Sequence, residues 1–192
     1  NGTLEGKDFV TPEEIRDNPY KKITVKEEVR TRKGTTVKEV ERKQWMAARH
    51  DGRSTRMDKA LLIAESLLED WMNLHHSQDC YPPTIINITD GEYNCVSDDT
   101  MQQLSNRVKS MFTNDGNVLF FNIHIAPGQT DAITFPISTI ELKGNSYGER
   151  LFDMSSLLPL CYNDNIRQMF GITSSMNERC RAMGVNAGMQ RL

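Results

Sequence analysis

No run of apolar residues in the sequence approaches the ~20 needed to span a bilayer, and no short apolar segment follows basic residues at its start. The expectation is a soluble, cytoplasmic chain without a membrane partner. Cysteine is sparse: Cys80, Cys95, Cys161 and Cys180 stand far apart and make no C-x-x-C pair. Neither a zinc site nor a redox motif is signalled, and the thiols read as small buried or idle side chains. Aromatics are 7% of the chain, too few to form the stacking platforms that single-stranded nucleic acid needs. No internal repeat and no low-complexity segment is present.

What is there bounds the class. The chain has 192 residues, 26% charged and 38% hydrophobic, enough for one α/β domain with a sizeable core and short of what two usually need. The net charge of −3 is uneven: residues 21–43 hold nine Lys/Arg against four Glu, a local +5 that leaves −8 elsewhere. Such a stripe could attract an acidic partner, but its interleaved glutamates read as a solvated face and argue against nucleic acid. Residues 22–46 alternate β-formers and charges on both sides of Lys33-Gly34 and are expected to form a hairpin with one wet face. Ahead of it, Thr11-Pro12 opens a helical turn that stops before Pro19.

Downstream, Ala60, Ile63, Ala64, Leu67, Leu68 and Trp71 share one face of a helix expected over about 57–75. "PTIINIT" reads as a strand buried on both faces, and "SDDTMQQLSNRVKSMF" as a capped helix aligning Met101, Leu104, Val108, Met111 and Phe112. "NVLFFNIHIA" is a second core strand; "SYGERLFDMSSLL" and "NDNIRQMFGI" are expected helices. Strands alternating with helices call for a mostly parallel sheet with helices on both faces, and in such sheets ligands bind at the carboxyl ends of the strands.

Two features point to that edge. Ser54-Thr55 precedes the first long helix, and Asp90-Gly91 ends the strand that follows it. A hydroxyl and a carboxylate there suit a hard cation such as Mg²⁺, with Mn²⁺ or Ca²⁺ as alternatives. Each feature also has a plainer account: Thr55 with Asp58 resembles a helix cap, and Asp90-Gly91 a simple turn.

The segments "RSTRMDKALLIAESLLEDWM", "PPTIINITDGE" and "NVLFFNIHI" resemble the von Willebrand factor type A (VWA) domain. The Asp-Asn-Pro near the start, the hairpin and "YGERLFDMSSLLP" look like a bacterial intracellular branch related to tellurium-resistance-associated proteins. The resemblance runs over most of residues 9–192 and is most specific over 55–92. It implies a three-layer α/β/α, Rossmann-like sheet, here carrying the hairpin of residues 22–46 as an insertion in a single domain, 1–192. It also implies a metal-ion-dependent adhesion site, in which Thr55 matches the loop threonine and Asp90 the later aspartate. The family's Asp-x-Ser-x-Ser motif does not occur in the chain. The chain opens on Asn1, and the first strand with that motif is expected upstream of it; the competing account is that metal binding has been lost. Where the family has Gly-Gly-Thr-Pro, this chain has Arg53-Ser54-Thr55-Arg56, two cations that raise the cost of binding a third.

The resulting expectation is a non-enzymatic interaction domain that binds a protein partner at the carboxyl edge of its sheet. Thr55 and Asp90 would serve a Mg²⁺, while Arg53, Ser54, Arg56 and Glu92 would contact the partner. The branch it resembles suggests, by analogy alone, a kinase or phosphatase as that partner. Two alternatives stand beside it: a metal-dependent hydrolase or phosphotransferase using Asp90 and Glu92, and a metal-free scaffold in which Arg53 and Arg56 bind an anionic partner. His75 and His76 read as helix-end residues, His124 as a satisfied core or sheet-edge histidine, and Asp98 and Asp99 as acids at a helix start. His50 beside Asp51 lacks a nucleophile with a matching motif. Most of the ten methionines fall on helix stripes, with Met176, Met183 and Met189 read as a yielding contact surface.

Overall fold

The computed structural model describes residues 2–31, 34–45, 54–75, 78–94, 96–126, 131–171 and 178–186. The chain divides into two compact units, residues 1–52 and 53–192.

In the first unit, helix α1 spans Pro12–Asp17. Thr11 caps it by accepting from the Glu14 N–H, while the Glu14 carboxylate accepts from the Thr11 N–H, and Pro12 takes the position where a missing N–H costs nothing. Strands β1 (Lys21–Thr31) and β2 (Gly34–Gln44) pair antiparallel from Lys21↔Gln44 to Thr31↔Gly34, as the alternation over 22–46 predicts. Gly34 has φ +125°, which only glycine adopts freely; Lys33 lies outside the described residues. On β1 the half-buried positions are Ile23, Val25, Glu27 and Val29. Strand β2 is wetter than its pattern suggests, with Val37 exposed. The Lys43 ammonium donates to the Arg16 carbonyl at 2.8 Å and the Trp45 indole N–H to the Ile15 carbonyl, tying the hairpin's end to α1.

The second unit is mixed α/β around a four-stranded, mostly parallel sheet. Its elements are α2 (Met57–His75), β3 (Thr84–Thr89), α3 (Asp98–Ser110), a small hairpin of β4 (Phe112–Thr113) and β5 (Gly116–Asn117), then β6 (Leu119–His124). After these come β7 (Ile133–Thr134), α4 (Ser146–Met154), α5 (Asn163–Phe170) and β8 (Met183–Val185). The sheet order is β3-β6-β8-β7. β3 runs parallel to β6 from Thr84↔Leu119 to Thr89↔His124, β8 runs parallel to β6, and β7 closes the sheet antiparallel to β8. Among the described residues no helix is long and apolar enough to cross a membrane.

Period-two alternation divides β6 between two cores. Phe120 packs with Met57, Leu61, Met101, Leu104, Leu151 and Phe152, side chains of α2, α3 and α4. Phe121 packs with Leu158, Ile166, Cys180 and Phe170. Between strands, the Asn87 amide donates to the Asn122 carbonyl oxygen at 2.8 Å, and the Asn122 amide donates to Ser155 Oγ at 3.0 Å. This chain of side-chain bonds, half-buried at Asn87 and fully buried at Asn122 and Ser155, joins β3, β6 and the end of α4.

Three sequence expectations are corrected. One face of β3 is uncovered among the described residues, so Ile86 and Ile88 are 61% and 62% exposed, where a strand buried on both faces was expected; an apolar run does not reveal whether a neighbouring layer exists. The inward face of α2 is Met57, Leu61, Ala64 and Leu68, leaving Ala60 and Ile63 exposed, because this helix is apolar around much of its girth and the position of the sheet decides which side is covered. Phe112 lies past the end of α3, exposed on β4. Strands β7 and β8, too short to show a period, carry no sequence signal, and Met183 is core there; Met176 and Met189 lie outside the described residues.

Removing Phe120, which is fully buried, with Phe120→Ala is expected to lower unfolding free energy by about 3–5 kcal/mol. Ile88→Thr on the open face of β3 is expected to change it by less than about 1 kcal/mol. Urea denaturation of the two variants checks the contrast.

Candidate functional site

The carboxyl edge of β3 is built by a turn that side chains fold locally. The Thr89 hydroxyl accepts from the Gly91 N–H at 3.0 Å and Asp90 Oδ1 accepts from the Glu92 N–H at 3.2 Å, so both residues use their oxygens to turn the chain. Gly91, at φ +87°, is demanded twice over. Its conformation disfavours any side chain, and a Cβ there would lie 2.7 Å from Tyr147 Cβ and 3.1 Å from the His124 ring. Beyond the turn, the Tyr93 hydroxyl donates to Asp98 at 2.5 Å, and Arg150 pairs with the same carboxylate at 3.0 Å. Burial and that donation push the Tyr93 phenol above its ordinary range. Asp98 and Asp99 occupy the first turn of α3, whose cap is Ser97, as expected for helix-start acids.

The segment before α2 meets this turn. The Asn94 N–H donates to the Thr55 carbonyl at 3.3 Å, so the strand-end loop and the chain entering α2 lie on one edge. Thr55 is exposed, and its hydroxyl has no partner among the described residues. Thr55 is not the helix cap: α2 begins at Met57 and the Arg56 carbonyl accepts its first helical bond, from Ala60. Asp90 and Glu92 are exposed beside it, as is Ser54. Arg53 lies outside the described residues, as do His50, Asp51, His76 and Cys95.

Arg56 does not stand beside the site as a loose charge. Its guanidinium forms a two-pronged pair with Asp58, at 2.9 and 2.6 Å, and Asp58 is only 6% exposed. Hydrogen bonding from Arg56 is the main cause that holds the Asp58 carboxyl down to about 2. Two oxygens face solvent on this edge, the Thr55 hydroxyl and the Asp90 carboxylate, and Arg56 is held by Asp58. Hard donors of this kind would supply at most two of the several ligands a divalent ion takes. Among the described residues no three His, Cys, Asp or Glu side chains come together as a metal cluster.

Sequence reasoning overlooked the importance of His124. It ends β6 opposite Thr89, is 2% exposed, and packs against Gly91. Its Nε2 meets the Asn145 amide at 3.1 Å, while Nδ1 has no hydrogen-bond partner among the described residues. With the amide donating, the ring proton sits on Nδ1, facing the Asp90-Gly91 turn. The expectation of a fully satisfied histidine is thus met on one nitrogen only. The signal that could have found it is the register: a histidine closing the central strand beside an aspartate closing its neighbour. His75, by contrast, stacks on Trp71 and its Nδ1 meets the Trp71 carbonyl, a helix-end role as expected.

Two predictions follow from this geometry. Gly91→Ala is expected to cost roughly 2–4 kcal/mol through backbone strain and overpacking against Tyr147, read by urea denaturation. Asp58 has a depressed folded pKa, so its pair contributes stability that is present above about pH 4 and lost as the pH falls through about 2. The acid limb of the Tm profile of Asp58→Asn is therefore expected to be flatter between those values than that of the parent, a difference visible by circular dichroism.

Comparison of the chain with protein-family models, with curated proteins and with solved structures returned no match.

Proposed function

We propose that the second unit is a VWA-like interaction domain that receives a protein partner at the carboxyl edge of its sheet. What carries the reading is the Asn94-to-Thr55 bond, which puts the strand-end loop and the entry to α2 on one rim where the Thr55 hydroxyl and the Asp90 carboxylate are both exposed. In this reading, Thr55 and Asp90 hold a Mg²⁺ and an acidic group of the partner completes its shell. Ser54 and Glu92 form the surrounding contact, together with Arg53 and with the outer face of Arg56. The Arg56–Asp58 pair supports metal binding over a metal-free anion scaffold, since it offsets the charge of Arg56. A kinase or phosphatase partner rests on family analogy alone.

Calorimetric titration with Mg²⁺ and Mn²⁺ tests the reading. The parent chain is expected to bind one ion, and Asp90→Ala to weaken that binding by at least about tenfold, the loss of one charged ligand. Equal heats from the two proteins, with no saturation in either, would remove the adhesion site from the account.

A further inference from the structure

At the opposite, amino-terminal edge of the sheet lies a cavity of about 260 Å³ lined by Lys109, Arg179 and Arg181 together with Asn117, Ser155 and Ser156. We propose that this cavity binds a small phosphate-bearing molecule. The inference is independent of the carboxyl-edge site: the cavity touches Leu119 at the start of β6, and Asp90 follows the far end of the paired strand β3.

Three cations share one cavity with no ion pair to any of them among the described residues. Each bonds only to backbone carbonyls. Lys109 Nζ donates to the Asp153 carbonyl at 3.3 Å, and Arg179 to the carbonyls of Leu158 and Leu157 at 2.8 and 3.0 Å. Arg181 Nη1 donates to the Ser155 carbonyl at 2.9 Å. The acid that acts on Lys109 and Arg181, Asp153, does so only by longer-range attraction. Those carbonyl bonds alone would make the arginines staples for the segment after α4. They leave Arg181 Nε buried without a partner, and the guanidinium plane is fixed by stacking over the Phe152 ring at 4.9 Å.

A held arginine with an unmet N–H, a second arginine and a lysine make a fork that matches tetrahedral oxyanions. Burial first, and then the neighbouring Arg181, bring the Lys109 ammonium down to about 8 against a smaller opposing pull from Asp153, and a bound dianion would raise it again. The cavity is smaller than those that hold drug-sized ligands, which limits the occupant to a phosphate with a small organic part.

The test is titration of the full chain with inorganic phosphate, glycerol phosphate and acetate at constant ionic strength, followed by amide and Lys109 Nζ resonances. Phosphate or its ester is expected to saturate, shifting the amides of residues 155–157 and 179–181 and raising the Lys109 pKa. Lys109→Met and Arg181→Gln are each expected to weaken binding by about tenfold or more. Tighter binding of the ester identifies an organic phosphate as ligand, and equal binding identifies free phosphate. Because Arg181 also holds the Ser155 carbonyl, Lys109→Met keeps the test valid if Arg181→Gln fails to fold. No saturation by either phosphate, equal competition by acetate, or parent-like binding by Lys109→Met would overturn the proposal.

Discussion

A chain of amide and hydroxyl bonds, from half-buried Asn87 to buried Asn122 and Ser155, is the constraint on which the second unit depends. Asn122 and Ser155 have no exposed surface, so each unmet polar atom would carry the full cost of desolvation, of the order of 1–3 kcal/mol. Sliding β3 by one residue against β6 would break the Asn87–Asn122 bond and turn Ile85 out of the core. A network of this kind selects one register where apolar packing alone would tolerate several. From that register the edges follow: Thr89 falls opposite His124, and Gly91 can fold back onto the histidine ring only because the two strands end together.

The two edges then acquire different chemistry. At the carboxyl edge, oxygens are exposed and Arg56 is paired within its own helix turn by Asp58. At the amino edge the imbalance is reversed: among the described residues, Lys109, Arg179 and Arg181 bond to carbonyls and to no carboxylate. A mostly parallel sheet makes this division natural, because its loops segregate by strand polarity and each edge collects residues from distant parts of the chain. Lys109 and Arg181 are brought together this way from the end of α3 and the approach to β8.

Local chemistry was the legible part of the sequence. Thr11, Pro12 and Glu14 write a capping box in four residues, and the bounds of α2 and the existence of β3, α3 and β6 follow from period and caps. What depends on neighbours was not legible. The side of α2 that faces inward, with Ile63 left exposed, and the openness of β3 at Ile86 and Ile88 are set by the layers present around them. β7 and β8 are two and three residues long, and it is pairing with β6 that makes β8 a strand at all. At the site, Asp90 and Thr55 could be placed on one edge from strand and helix order, whereas the Arg56–Asp58 pair and the unmet nitrogen of His124 needed coordinates.

The account's central claim is that the rim joining Thr55 to the Asp90 turn is where the molecule engages a cation and its partner. Paramagnetic broadening of assigned amide resonances by trace Mn²⁺ tests it most directly. The account predicts that Thr55, Gly91, Glu92 and Asn94 broaden first while residues 179–181 remain sharp. Broadening that is absent, or that begins elsewhere in the unit, would contradict it.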